Sequence, residues 1–255
     1  MTMHQPLDAA LSSNPAPIKA TRVQFMAEDD KDMLRAARDL TKGLGEARAD
    51  IYWPDMLVSA GVGYAGIATA ILSDSTGVKL AAGLVAALAL YRALMFIHEL
   101  THIHRDASPG FRTAWNLLVG IPMLTPSFMY EGVHTIHHKR TQYGTVEDPE
   151  YLPLALMKPW SLPAFVLVAM MLPIALLVRF GVLYPIGLIV PPLRKFTWER
   201  FSSLSINPEF RRRPAEGDFV GRVRWQEAGA SLWAITLMVT AALYGWQPLA
   251  TALAI

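Results

Sequence analysis

The sequence contains no cysteine, and charged residues make up only 17% of its 255 positions. Because thiolates are absent, the protein forms no disulfide, and it holds neither an iron–sulfur cluster nor a thiolate-ligated haem. An electron-transfer centre of those kinds must lie on another protein. The net charge is only +2, so we expect no nucleic-acid partner.

We also expect no secretory signal, because residues 1–17 lack a positively charged start followed by an apolar run. Soluble domains carry about 25% charged residues, whereas this chain is 53% hydrophobic with a mean hydropathy of +0.28. The hydrophobic residues come in blocks, which favours a multi-pass integral membrane protein of the all-α class. Its own first hydrophobic helix would then direct insertion.

The first two blocks, residues 56–72 and 80–97, are each close to the length that spans a bilayer. A short turn at Asp74, Ser75 and Gly77 joins them, so we expect a helical hairpin. Residues 115–128 are apolar but short and are interrupted by prolines, which predicts an interfacial or re-entrant segment.

The later apolar runs, residues 161–178 and 180–193, are divided by Arg179. They predict either a helix plus an interfacial piece or a tight membrane hairpin. A basic stretch, residues 194–227, follows, and residues 228–255 are apolar again.

Positive residues in short loops favour the cytoplasmic side of a membrane. We therefore expect the N-terminus, both histidine clusters described below and the basic stretch to face the cytoplasm, at the inner membrane if the protein is bacterial. Residues 1–27 resemble a flexible tail, and an amphipathic helix begins near Glu28 and ends near Gly43 and Gly45. The expected domains are a cytoplasmic tail and amphipathic helix over residues 1–50 and a membrane domain over residues 51–255.

Six of the seven histidines fall between positions 98 and 138, in two clusters beside apolar segments. At about 100° of helical rotation per residue, His98 and His102 share a face, and the second cluster falls within an arc of about 100°. The second cluster consists of His134, His137 and His138. We leave His104 out, because on a continued helix it faces about 140° away from the first pair.

Imidazole is the commonest neutral metal ligand in proteins. A catalytic zinc ion usually takes three protein ligands, so five imidazoles indicate two metal ions. The predicted metal ligands are His98, His102, His134, His137 and His138.

With these two histidine clusters, the sequence resembles the membrane fatty-acid desaturase family. His98-x-x-x-His102 and His134-x-x-His137-His138 are similar to its first two histidine boxes, and residues 141–151 and 207–212 are similar to bacterial members. The resemblance implies a non-haem centre of two iron ions that activates O2. It also implies a lipid acyl substrate, introduction of a double bond, and a separate electron donor of ferredoxin or cytochrome type.

The family carries a third His-x-x-His-His box, whereas no histidine follows His138 here. We therefore expect a partial desaturase fold, incomplete at its C-terminus, and this chain could be inactive as given. The acidic residues Glu147, Asp148 and Glu150 are available nearby. We expect them to form a solvated loop that orients neighbouring basic or histidine side chains rather than to ligate metal.

Three alternatives stay open. The first is a lipid hydroxylase of the same family, since desaturation and hydroxylation begin with the same hydrogen abstraction. The second is a membrane zinc metalloprotease, because His98-Glu99-x-x-His102 fits the HExxH pattern with Glu99 as general base. The third is a non-catalytic membrane protein that binds no metal tightly.

Overall fold

The computed structural model describes residues 28–41, 47–103, 108–152 and 154–255. All regular structure in these ranges is helical, which confirms the all-α prediction. The α-helices are α1 Glu28–Thr41, α2 Ala49–Leu72, α3 Thr76–His102, α4 Phe111–Trp115, α5 His134–His137, α6 Ser161–Met170, α7 Leu172–Val178, α8 Tyr184–Ile189, α9 Pro191–Phe201, α10 Asp218–Tyr244 and α11 Gln247–Ala254. Two π-helical turns occur at Asn116–Gly120 and Arg179–Leu183, and 3-10 turns at Ser127–Met129 and Leu154–Leu156.

The chain divides into two compact units, residues 1–46 and 47–255. In the first unit the predicted amphipathic helix is present as α1, starting at Glu28. The predicted tail, residues 1–27, and the predicted helix end at Gly43 and Gly45 lie outside the described residues.

Four helical stretches are long and apolar enough to cross a membrane: Ala49–Leu72, Thr76–His102, Leu172–Ile189 and Asp218–Tyr244. Ser161–Met170 is a shorter apolar helix. These helices support an integral membrane protein with several spans.

The first two spans form the predicted hairpin. Its glycines allow close packing, because a Cβ at Gly66 would lie 2.9 Å from the Ala82 carbonyl oxygen and from Ala86 Cβ. The connection is shorter than predicted, since α3 already begins at Thr76 and includes Gly77.

The predicted division of the later apolar run at Arg179 is wrong. The helical run continues through Arg179, and the break comes earlier, at Met171. The charge is tolerated because Arg179, only 2% exposed, lies 2.7 Å from Glu227 Oε1 on α10 and donates to Ser202 Oγ. The internal ion pair takes the place of water around the guanidinium. Without it, the charged side chain would have to reach water at an end of the helix.

The segment predicted to be interfacial or re-entrant consists of short helical turns. Trp115 is fully buried and donates its indole N–H to the Ala93 carbonyl oxygen of α3. Asn116 joins the two ends of the segment, because its side-chain oxygen accepts the Ser127 N–H. This folding carries the chain back towards α3 shortly before the second histidine cluster.

Residues of the basic stretch pack against the same region. The Arg212 guanidinium is buried and donates to the carbonyl oxygens of Phe128, Glu131 and Ser202. Burial lowers the pKa of Arg212 to about 10, so the side chain stays cationic at neutral pH. These bonds hold the segment that leads into the second histidine cluster.

Candidate metal centre

The first histidine pair occupies the last turn of a membrane-length helix. α3 continues through His102, and the Ile103 N–H still donates to the Glu99 carbonyl oxygen. His98 and His102 lie four residues apart, and their ring centroids are 4.7 Å apart. His98 and His102 therefore lie on one face of α3, as their spacing predicted.

The second cluster starts on a single helical turn, α5. The chain reaches it through Gly132, whose φ of +79° is one that L side chains rarely adopt. His134 is 4% exposed, and its ring centroid lies 4.4 Å from that of His98 and 4.9 Å from that of His102. The two clusters, separated by more than thirty residues of sequence, thus meet in space.

Ligand atoms of four histidines converge on one point. One side-chain nitrogen from each of His98, His102, His134 and His138 lies within 4.8 Å of all the others. His134 Nε2 is 3.0 Å from His102 Nε2 and 2.8 Å from His138 Nε2. Two nitrogens that bind one ion at right angles, each about 2.1 Å from it, are also about 3 Å apart.

The chemistry of these contacts fits a cation. A neutral imidazole has one N–H and one lone pair, so His134 Nε2 cannot make complementary hydrogen bonds to both neighbouring nitrogens if its own proton lies on Nδ1. Burial lowers the pKa of His134 below its usual value, although Glu150 acts in the opposite direction. A neutral, buried ring with its lone pair aimed at other imidazoles is the arrangement that a metal ion needs.

Three of the predicted ligands have a carboxylate beside Nδ1. The Nδ1 of His98 lies 3.2 Å from Glu99 Oε1, that of His134 lies 2.8 Å from Glu150 Oε1, and that of His137 lies 3.0 Å from Asp148 Oδ1. Each of these carboxylates lies on the Nδ1 side of its imidazole. An ionised carboxylate only accepts, so it fixes the proton on Nδ1 and leaves Nε2 for a metal.

His137 lies outside the group of four. Its ring stacks at 5.9 Å from His134 and lies 5.0 Å from Tyr143, and both Asp148 oxygens contact its Nδ1. The turn α5 therefore directs His134 and His138 to the cluster and His137 towards Asp148. Its role as a metal ligand stays a prediction, and His104 lies outside the described residues.

The acidic loop is less solvated than the sequence indicated. Asp148 is fully buried and accepts the backbone N–H groups of Gly144 and Glu150 as well as the His137 contact. Burial alone raises the pKa of Asp148, but the two N–H groups and the His137 ring together lower it below its usual value. Glu147 contacts no histidine in the described part of the chain and accepts a hydrogen bond from Gln142.

Two tyrosines next to the histidines were not found from the sequence. Tyr52 donates its hydroxyl to Glu99 Oε2 at 2.9 Å, and Tyr130 Oη lies 2.9 Å from His134 Nδ1. Burial raises the pKa of Tyr130, so its phenol stays protonated. Tyr130 precedes His134 by one helical turn, a spacing that the sequence offered, whereas Tyr52 approaches only through the hairpin.

Comparisons with known proteins identify the family of this chain. The profile of the family described as "Fatty acid desaturase" matches residues 77–255. The chain belongs to the fatty acid desaturase family. This confirms the resemblance found from the two histidine boxes. The family match gives no support to the zinc-protease alternative. The HExxH pattern also leaves the presence of both His134 and His138 in the cluster unexplained.

One curated member of the fatty acid desaturase family is similar over most of this chain. It is a ceramide hydroxylase of Caulobacter vibrioides (strain NA1000 / CB15N), 44% identical over 208 residues, which cover 80% of this chain and 58% of that protein. The chain thus spans a little over half the length of this relative. No solved structure matches.

Proposed function

We propose that this protein is an O2-dependent, metal-containing hydroxylase that acts on the hydrocarbon chain of a ceramide-like membrane lipid. The observation that carries the proposal is the group of four imidazole nitrogens within 4.8 Å of one another, at the end of a helix long enough to span a membrane. An unactivated C–H bond resists acid–base chemistry, and a redox metal beside the bilayer is suited to it.

The choice of hydroxylation over desaturation comes from the relative. The two histidine boxes alone favoured introduction of a double bond, but the similar protein is named a ceramide hydroxylase. Both reactions begin by removing hydrogen from a saturated carbon. In hydroxylation, one C–H bond, O2, two electrons and two protons give one C–OH group and one water molecule.

We propose iron as the metal, with two ions as in the family. His98, His102, His134 and His138 would hold one ion, and His137 would bind the second through Nε2. Bound iron would supply the reduction of O2 and the removal of hydrogen from the lipid. A separate ferredoxin or cytochrome would supply the electrons, because the sequence has no cysteine to hold a second redox centre of the thiolate kind.

The protein's own residues position and protect this centre. Glu150 and Asp148 fix the rings of His134 and His137, and second partners of this kind tune metal affinity. We place the membrane domain at residues 51–255, preceded by a cytoplasmic segment over residues 1–50. The histidine clusters would face the cytoplasm, at the inner membrane of a bacterial cell.

The proposal is tested on purified protein in lipid nanodiscs. Metal analysis should find iron, and incubation with ceramide, a reduced ferredoxin and isotopically labelled O2 should yield a ceramide that carries one labelled oxygen. His102→Ala should lose both iron and product, while His4→Ala, a histidine replacement far from both boxes in sequence, should keep both.

Other products have defined meanings. A ceramide that loses two hydrogens and gains no oxygen would replace hydroxylation by desaturation. The oxidative proposal would be overturned if the protein held zinc in place of iron and showed a proteolytic activity that Glu99→Gln abolishes.

A further inference from the structure

One cavity of the protein lies away from the histidine cluster. It has a volume of about 360 Å³, and its walls come from the α8–α9 hairpin and the start of α10. None of the four clustered histidines lines it. The hairpin is tight because α9 lies against Gly187, where a Cβ would be 3.2 Å from Arg194 Cα.

The cavity sits where two candidate membrane spans end. Gly187 and Pro191 on its wall mark the end of the span Leu172–Ile189, and Val220 and Val223 mark the start of the span Asp218–Tyr244. Trp198 also lines it, and tryptophan is common at the level of lipid headgroups. In a bilayer crossed by these two helices, the apolar part of the lining would lie at the depth of the upper acyl chains.

The polar part of the lining is basic. Arg194, Lys195 and Arg224 contribute three positive charges, and Glu227 is the only acidic residue of the lining. Glu227 is already paired with Arg179 at 2.7 Å, whereas its distance to Arg194 is 3.7 Å. Arg224 makes no hydrogen bond or ion pair among the residues that the structure describes. Arg224 is thus available to an anion, and Arg194 can share its charge between an anion and Glu227.

A buried hydroxyl in the wall supplies an independent observation. Thr197 lines the cavity and is only 4% exposed, and its Oγ1 has no hydrogen-bond partner within the described part of the chain. Buried hydroxyl groups are normally hydrogen-bonded. An oxygen of a bound headgroup would accept this proton.

We propose that this cavity binds the phosphate-bearing headgroup of an anionic membrane phospholipid. Arg194 and Arg224 pair with the phosphate, Thr197 donates to one of its oxygens, and the apolar wall takes the first part of the acyl chains. Basic pockets at the ends of transmembrane helices commonly bind such headgroups. The apolar walls and the position at the span ends favour a lipid over free phosphate. The proposal is independent of the metal centre and of the reaction assigned to it.

The test measures lipid retention and thermal stability rather than activity. Protein purified in detergent is incubated with phosphatidylglycerol, with phosphatidylcholine or with inorganic phosphate. Bound lipid is then counted by native mass spectrometry. Phosphatidylglycerol should remain bound and raise the melting temperature, and the other two should not.

Two variants and one control test whether the lipid binds in this cavity. Arg194→Ala with Arg224→Ala should weaken phosphatidylglycerol binding about tenfold or more. Thr197→Val, which keeps the shape of the wall, should weaken it by a smaller factor. Arg200→Ala with Arg213→Ala removes the same charge from exposed positions outside the cavity and should bind as the unchanged protein does.

Equal losses in the control and in the Arg194/Arg224 variant would show general attraction to charge and would overturn the site. Unchanged binding in the Arg194/Arg224 variant would also overturn it. Protection by inorganic phosphate as strong as that by phosphatidylglycerol would overturn the assignment to a lipid.

Discussion

Replacing Asp148 by asparagine tests whether a buried carboxylate organises the second histidine cluster. The two carboxylate oxygens accept the Gly144 N–H at 2.8 Å and the Glu150 N–H at 2.9 Å, and both contact His137 Nδ1. Asparagine has nearly the same shape but turns one acceptor oxygen into an NH2 group. That group must then face an N–H donor in a site with no exposed surface.

The expected magnitude follows from these contacts. A buried donor that loses its acceptor costs about 1–3 kcal/mol of stability, so Asp148→Asn should lower the free energy of unfolding by about 2 kcal/mol. Loss of the carboxylate behind a metal-binding histidine typically lowers metal affinity about 10–100-fold. The variant should therefore retain less iron than the unchanged protein at the same free iron concentration.

The assay compares Asp148→Asn with Glu147→Gln. Both changes remove one negative charge from the same loop, but Glu147 is exposed and bonds only to Gln142 among the described residues. Thermal unfolding in detergent and iron content after dialysis should separate the two variants, with Glu147→Gln within about 0.5 kcal/mol of the unchanged protein. If both variants unfold and bind iron alike, Asp148 does not organise the cluster.

Three further changes test other parts of the structure. Tyr52→Phe removes a hydroxyl that steadies the first histidine cluster, so iron should dissociate faster from the variant; an unchanged dissociation rate would contradict that role. Arg179→Met removes the closer of the two arginines that pair with buried Glu227 and should cost about 3 kcal/mol, while the double variant with Glu227→Leu should recover most of this loss in denaturant titrations. A double variant no more stable than the single one would argue against the pair. Gly66→Ala places a methyl group 2.9 Å from the facing helix and should destabilise the hairpin by about 1–3 kcal/mol, whereas Gly61→Ala, with nothing within 4 Å, should not; equal melting temperatures would refute the close packing.

The sequence predicted the elements whose signal is local. Runs of apolar residues marked the hairpin of α2 and α3, because a segment that crosses a bilayer must be predominantly apolar over about 20 residues. The spacing of His98 and His102 placed both on one face, since helical rotation depends only on the number of residues between them. The two histidine boxes also indicated the family that the comparisons confirmed.

The sequence could not resolve what depends on distant partners. Arg179 interrupts an apolar run and was expected to end it, but Glu227, 48 residues later, compensates its charge within the helix. The sequence also did not reveal that buried Asp148 contacts His137 Nδ1, because α5 is one turn long and the contact comes from a residue outside it. The role of His137 as a metal ligand stays a prediction.

By itself, the sequence determined that this protein is an all-helical membrane protein with histidines clustered at the end of a span, because hydropathy and helical spacing are properties of neighbouring residues. Only the tertiary structure decided which histidine nitrogens meet and which carboxylate faces each ring. Those contacts join residues from α3, α5 and the loop at 139–152, and their positions follow from packing across the whole domain rather than from the spacing within any one segment.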